Sequence, residues 1–415
     1  MRKLVLFLFA LVLIFVSNVG PATLDSPTPP GPWQHPPQLD KPTGRVVEVR
    51  TEAQLQAAVR NLKSDVTILI APGTYNLTNT LNVQGNVKNV ALRGAAPERG
   101  KVVLKGRGMA NKDYGGVPHG IMVSDATDVL IANLSVGDVW FHPITLQGQL
   151  GCKRVRICNV RLFDAGEQFL KANPDGKGGG ADDCTVEYCV FEYVRTARHN
   201  YTQGMSVHTC ANWVVRNNLF RNIRGPKGDA KVGGCIDFWH GSKNATVEGN
   251  VMVNCRMGIR LGLMKKQDGH DNEGGIVRNN VFWRQPGAVE EPDAGIIVAD
   301  SPGTKVLHNT ILLNGTYSGG AIEYRWCKDA LIANNLTDGK VWKREEADGE
   351  EKGNVVLSDP KALFVNSAAG DLHLSARGVG SLRKVARRED CLTDFDGNKR
   401  SEKTDVGADE FAKRR

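Results

Sequence analysis

A chain of 415 residues with 41% apolar and 24% charged side chains has the balance of a globular protein, with length for one long or two ordinary domains. Its 46 glycines and 7% aromatics suit many short strands joined by tight turns better than a helical bundle. The formal charge of +8 favours acidic partners by long-range steering, but no Lys/Arg cluster is interleaved with aromatics, which argues against nucleic acid.

The chain opens as a signal peptide over residues 1–22. Arg2 and Lys3 precede an apolar run, 4–16, too short to cross a bilayer comfortably, and Gly20, Pro21 and Ala22 offer a small-x-small cleavage site. The expected location is therefore secreted or periplasmic, with no membrane span after cleavage. Residues 23–45 follow as an extended linker rich in proline. Thr51 then starts a short amphipathic helix over 51–63, with Leu55, Val59 and Leu62 on one face and Thr51 with Gln54 as a capping box.

From there the chain repeats. β-Branched residues at Ile131, Ile157, Val186, Val215, Val247, Val277, Val306 and Ile332 recur at intervals of 26 to 32 residues. Five residues after each of the first seven stands a second apolar residue: Val136, Leu162, Phe191, Phe220, Met252, Phe282 and Ile311. Asparagine recurs between them at Asn218, Asn250, Asn280, Asn309 and Asn335, where stacked side-chain amides can satisfy turn backbone from coil to coil. Each repeat also carries a second strand, such as Met205/Val207, Ile236/Phe238, Ile259/Leu261 and Ile322/Tyr324. Proposed equivalents are Ile144/Leu146, Leu170/Ala172, and either Ile297/Ala299 or Ile296/Val298.

One such coil cannot bury its apolar side chains alone, and stacking coils about 4.8 Å apart builds a continuous core. The pattern predicts an all-β, single-stranded right-handed parallel β-helix over 46–374. A propeller would need blades of about 40–45 residues. Residues 375–415 are expected as a capping tail over the C-terminal end of the stack, since an open sheet edge must be covered. The nine cysteines are an odd number, so at least one thiol is free or pairs between chains. Disulfides and small interior fillers both remain open.

The helix, the strand leading into Ala71, Pro72, Gly73, Thr74 and Tyr75, and the Asn-rich repeats resemble the pectin lyase-like superfamily over roughly 46–374. The resemblance implies the right-handed β-helix and a range of carbohydrate-directed activities. These include uronate lyases, often calcium-dependent, glycoside hydrolases, and binding proteins without catalysis.

Long loops flank one strand column on both sides and should wall a groove. Strand alternation exposes Lys171, Asn173, Ser206, His208, Asp237, Trp239, Arg260, Glu323 and Arg325 there, with His240 next in sequence. The expected catalytic set is Arg260, His208, Lys171 and Asp237. Arg260 would neutralise a uronate carboxylate, His208 or Lys171 would abstract the adjacent proton, and Asp237 would orient Arg260. Trp239, His240, Glu323 and Arg325 are the expected substrate-binding residues. Asp175, Asp182 and Asp183 in a Gly-rich loop have oxygen ligands suited to calcium. Glycoside hydrolysis remains an alternative, with Asp182, Asp183, Asp237 and Glu323 as the carboxyl candidates. The expected partner is an acidic polysaccharide, bound by a monomer.

Overall fold

The structure is a computed structural model that describes residues 26–226, 233–288, 294–360, 362–382 and 384–411. The signal peptide read at 1–22 lies outside the described residues.

The repeat becomes a solenoid of parallel strands in three columns. In the first column Ile131, Ile157, Val186, Val215, Val247, Val277, Val306 and Ile332 stand in register from coil to coil. In the second, Val136, Leu162, Phe191, Phe220, Met252, Phe282 and Ile311 do the same. All of these side chains are buried in one continuous core. A single coil exposes both strand edges, so each pairing both satisfies backbone and buries apolar surface.

The bend between these columns is built on left-handed residues, Asn217, Gly249, Asn279, His308 and Asn334. The asparagine after each closes the turn. Asn218 Nδ2 donates to Asn250 Oδ1 at 2.9 Å, and the same bond runs on through Asn280, Asn309 and Asn335 to Asn354. Each of these donors also reaches a carbonyl of the preceding coil, Val186, Val215, Val247, Val277 or Val306. The ladder therefore satisfies bend backbone that no strand partner reaches.

The third column holds ten strands, among them Ile144–Gln147, Gln168–Asn173, Gln203–His208, Ile236–Trp239, Ile259–Leu261, Ala294–Ala299 and Gly320–Arg325. The open register resolves to Ile296/Val298, which pair with Ile259 and Leu261. The helix Glu52–Arg60 lies at the N-terminal end and buries Leu55 and Val59. Thr51 Oγ1 caps it by accepting from Gln54 N, while Gln54 Oε1 accepts from Arg50 N.

The two flanking segments lie along the solenoid. Ser26 Oγ donates to Asn222 and accepts from Asn254, and Arg99 donates to Trp33 O, so the proline-rich segment is extended but docked. The tail differs from its expected place over the end of the stack. Its Phe395, Val406 and Ala408, with Leu372 and Leu374 of an antiparallel pair that falls inside the range expected for the β-helix, pack on the outer side chains of the second column, including Leu219, Val251, Val281 and Trp283. Those outward apolar residues need cover, and the tail supplies it along the flank. All nine cysteines are free and buried, and burial pushes the Cys152 and Cys189 thiols up to about 12. No helix among the described residues is long and apolar enough to cross a membrane.

Candidate active site in the groove of the third column

Alternation along the third column puts Lys171, Ser206, Asp237, Arg260, Ile297 and Glu323 in one outward ladder, each paired with the next. His208 and Trp239 form a parallel pair two residues further along their strands. The sequence placed these side chains on the correct face. It did not foresee their burial: Asp237 is 2% exposed and Arg260 7%.

Asp237 and Arg260 form a two-pronged ion pair, Nε to Oδ1 and a terminal nitrogen to Oδ2, both at 2.6 Å. Gln203 Nε2 and Gly234 N donate to the same carboxylate. Asp237 thus holds Arg260 in place. Asp237 occupies the Nε edge of the Arg260 guanidinium, so any carboxylate that Arg260 neutralises would have to meet its other edge.

One coil earlier the groove holds a different arrangement. Lys171 Nζ lies 2.7 Å from His208 Nε2 and 3.2 Å from Ser206 Oγ. Ser206 Oγ also accepts from Trp239 Nε1 at 3.3 Å. Trp239 meets His208 edge-on, with centroids 4.6 Å apart, and His240 packs against both. Burial lowers Lys171 to about 8, against the opposing fields of Asp237 and Glu167. Burial lowers His208 to about 3, helped by the positive charges of Lys171, His240 and Lys266. The pair is therefore a neutral imidazole beside a lysine that releases its proton readily.

The loop after Leu261 forms one wall. Asp271 accepts from the backbone of His240, Leu263 and Met264, and its carboxylate lies 3.2 Å from Lys266 Nζ. Lys266 Nζ lies 3.1 Å from His240 Nδ1. On the other wall, Glu167 stands 3.7 Å from Arg198 and 4.0 Å from His142, and burial raises its carboxyl above the usual range. The sequence reading missed Glu167, Arg198 and Lys266. Glu167 directly precedes its strand, so strand alternation did not reach it, and the other two sit on loops.

Glu323 and Arg325 belong elsewhere. Glu323 bridges Arg325 at 3.2 Å and Arg344 at 3.0 Å, three coils beyond Asp237. Ile297 stands between them in the ladder and joins Met257 and Ala299 in an apolar cluster. The expected calcium carboxylates also have separate partners. Asp175 caps its own turn through Lys177 N and Gly179 N, Asp182 pairs with Lys153, and Asp183 accepts from Asn212. Among the described residues no group of three His, Cys, Asp or Glu side chains converges to hold a metal. Asp175, Asp182 and Asp183 do not fit a calcium site as they stand.

Residues 177–338 match a family model described as "Right handed beta helix region". The chain is a right-handed parallel β-helix. Similar solved structures include the tailspike protein of E. coli bacteriophage HK620 in complex with pentasaccharide. That likeness is at 15% identity and TM-score 0.53, over 76% of this β-helix chain and 59% of the tailspike chain. The lacto-N-biosidase of glycoside hydrolase family 136 from Eubacterium ramulus matches at 12% identity and TM-score 0.52, over 75% of this chain and 68% of its own. An alginate lyase from Paenibacillus sp. matches at 15% identity and TM-score 0.46, over 74% of this chain and 97% of its own. At these identities the likeness to the tailspike protein and the lacto-N-biosidase speaks for the fold alone. No curated protein matches the sequence of this β-helix.

Proposed function

We propose that this β-helix is an exported enzyme that cleaves an acidic, uronate-containing polysaccharide by β-elimination in the groove of the third column. The observation that carries this reading is the 2.7 Å contact between Lys171 Nζ and His208 Nε2, with a lysine lowered to about 8. A base near its operating pH is what removal of a proton beside a carboxylate needs. In this reading Lys171 is the base, and neutral His208 and Ser206 hold its Nζ. Lys266, whose field reaches His208, takes the neutralising role that the sequence suggested for Arg260. Trp239 and His240 supply the aromatic surface beside the scissile unit.

Glycoside hydrolysis on the same scaffold needs two available carboxyl groups flanking one bond. Asp237 is saturated by Arg260, Gln203 and Gly234, and Glu323 by Arg325 and Arg344, which favours elimination. The test is ultraviolet absorbance of the protein with uronate polymers, with and without calcium. A rising signal from a C4–C5 double bond, abolished in Lys171→Met, supports the reading. Release of reducing ends without that chromophore moves the reading to hydrolysis. Binding without cleavage moves it to a carbohydrate-binding protein.

A further inference from the structure

Elimination needs a second proton transfer, to the oxygen that leaves C4. Resting on the reading above, we propose that the Glu167 carboxyl is the acid that protonates this leaving oxygen, and that Lys171 and Glu167 work as a pair across one sugar ring.

The other carboxylates of the groove are committed. Asp237 accepts four hydrogen bonds from Arg260, Gln203 and Gly234. Asp271 holds the wall loop through three backbone N–H groups, and Glu323 bridges two arginines. The Glu167 carboxyl accepts no hydrogen bond from the described residues. Its nearest charged neighbours stand off at 3.7 Å, Arg198, and 4.0 Å, His142, and its side chain keeps 19% exposure to solvent. A carboxyl that is half-buried, unsaturated and reachable can hold a proton and give it to a ligand.

The backbone beneath it is fixed. Glu167 N donates to Phe141 O, and Tyr193 Oη donates to Glu167 O. A Cβ on Gly166 would lie 1.7 Å from Trp140 O, so only glycine lets these coils approach there. Arg198 is held too, with its Nε on Gly166 O and its guanidinium 3.6 Å above the Trp140 ring, which stacks with Tyr114. Burial, the largest influence on Glu167, favours its protonated form over the opposing charges of Arg198 and Lys171.

Glu167 stands in the bend that leads into the strand Gln168–Asn173, so its Cα lies at most about 13 Å from that of Lys171 at ~3.3 Å per residue. Each side chain feels the charge of the other, so one sugar ring between them can meet both. The step balances without a co-reactant. The C5–H bond breaks, and its proton goes to Lys171 Nζ. The electron pair forms the C4–C5 double bond, the C4–O bond breaks, and the departing oxygen takes the Glu167 proton. Lys171 then loses its proton to water and Glu167 regains one.

The experiment compares wild type and Glu167→Gln on a cleaved uronate polymer and on a 4-O-(4-nitrophenyl) uronide, whose nitrophenolate leaves without a proton. The expected result is a loss of about 100-fold or more on the polymer, with near wild-type rates on the aryl substrate. That second rate also shows that the variant is folded. The pH profiles give an independent readout. Wild-type activity on the polymer falls at high pH as Glu167 ionises, whereas Glu167→Gln rises through the Lys171 titration and then stays level. Equal losses on both substrates, or no loss on either, would overturn the assignment while leaving elimination intact. A wild-type protein that forms no unsaturated product from any polymer overturns elimination and the acid together.

Discussion

Lys171 Nζ and His208 Nε2 lie 2.7 Å apart on adjacent coils, in a site where both groups lose charge relative to water. Burial is the first cause for each, so the site, rather than one partner, sets the proton balance.

The lysine carries a stability cost with a defined sign. Its folded value of about 8 lies below its ordinary 10.5, so the unfolded chain binds the extra proton between those values. Stability should therefore rise with pH from about 8 to 10.5, and the penalty is fully present below 8. Lys171→Met removes the penalty. The expected outcome is a variant that melts higher than wild type at pH 7 and has lost its activity, seen by thermal melts beside the absorbance assay. A variant that melts lower would show that the ammonium is structurally required.

Arg260 and Asp237 should behave as a structural pair. Arg260→Ala leaves the Asp237 carboxylate buried with only Gln203 and Gly234, a loss of about 3–5 kcal/mol. Replacing both, Arg260→Met with Asp237→Leu, should recover most of that loss, because no buried charge then lacks its partner. Urea unfolding of the two single variants and the double variant checks this. Additive losses would show that the pair is not coupled.

The asparagine ladder gives a positional test. Asn280 donates to Asn309 Oδ1 and Val247 O, and its own Oδ1 accepts from Asn250 on both backbone and side chain. Asn280→Ala strands the two buried Asn250 donors and takes one donor each from Asn309 Oδ1 and Val247 O, and should cost about 1–3 kcal/mol. Asn354→Ala, at a partly buried rung near the end, should cost less. Denaturant midpoints of the two variants decide it, and equal losses would mean that the rungs do not cooperate.

The fold was legible because its unit repeats. Eight β-branched residues at one position and seven apolar residues five places on leave little freedom of register, and every one of those pairings holds. The face of Lys171, His208, Asp237 and Arg260 followed from the two-residue period of a strand. What they touch did not follow, because it depends on loops and caps outside the repeat. Arg260 looked free of partners, and its two-pronged pair with Asp237, itself held by Gln203 and Gly234, depends on contacts outside the repeat. Glu167 stands one residue before its strand, where alternation carries no information. The tail read as an end cap because an open edge was the only exposed surface the repeat implied. The outward Leu219, Val251, Val281 and Trp283 that it covers fall on the face that strand alternation assigns to solvent.

The docked tail should loosen at high pH. His373, in the strand Asp371–Leu374 that packs with the tail, donates from Nδ1 to Asp371 Oδ1, 2.5 Å away, and lies 3.1 Å from Asp396. Burial works against its charge, but the hydrogen bonds to Asp371 and Asp396 and the fields of Asp396 and Asp409 outweigh it and raise it to about 10. A raised histidine contributes stability that is complete below about 6.5 and lost as pH climbs through 10. Asp409, raised to about 6 by burial and by Asp394 and Asp396, adds to the same trend. Its protonated form is favoured in the fold, so its contribution disappears as pH rises through 6. Leu374 N, which donates to Asp409 at 2.7 Å, ties this acid to the strand that carries His373. The His373 contribution to melting temperature should therefore fall between about pH 6.5 and 10, a step that His373→Gln removes and that above pH 8 runs against the rise from Lys171. Hydrogen exchange should place the opening in residues 364–374 and 394–410 before the Asn ladder loosens. Melting that changes with pH alike in wild type and His373→Gln would assign the dependence to other groups and leave the tail held by its apolar contacts alone.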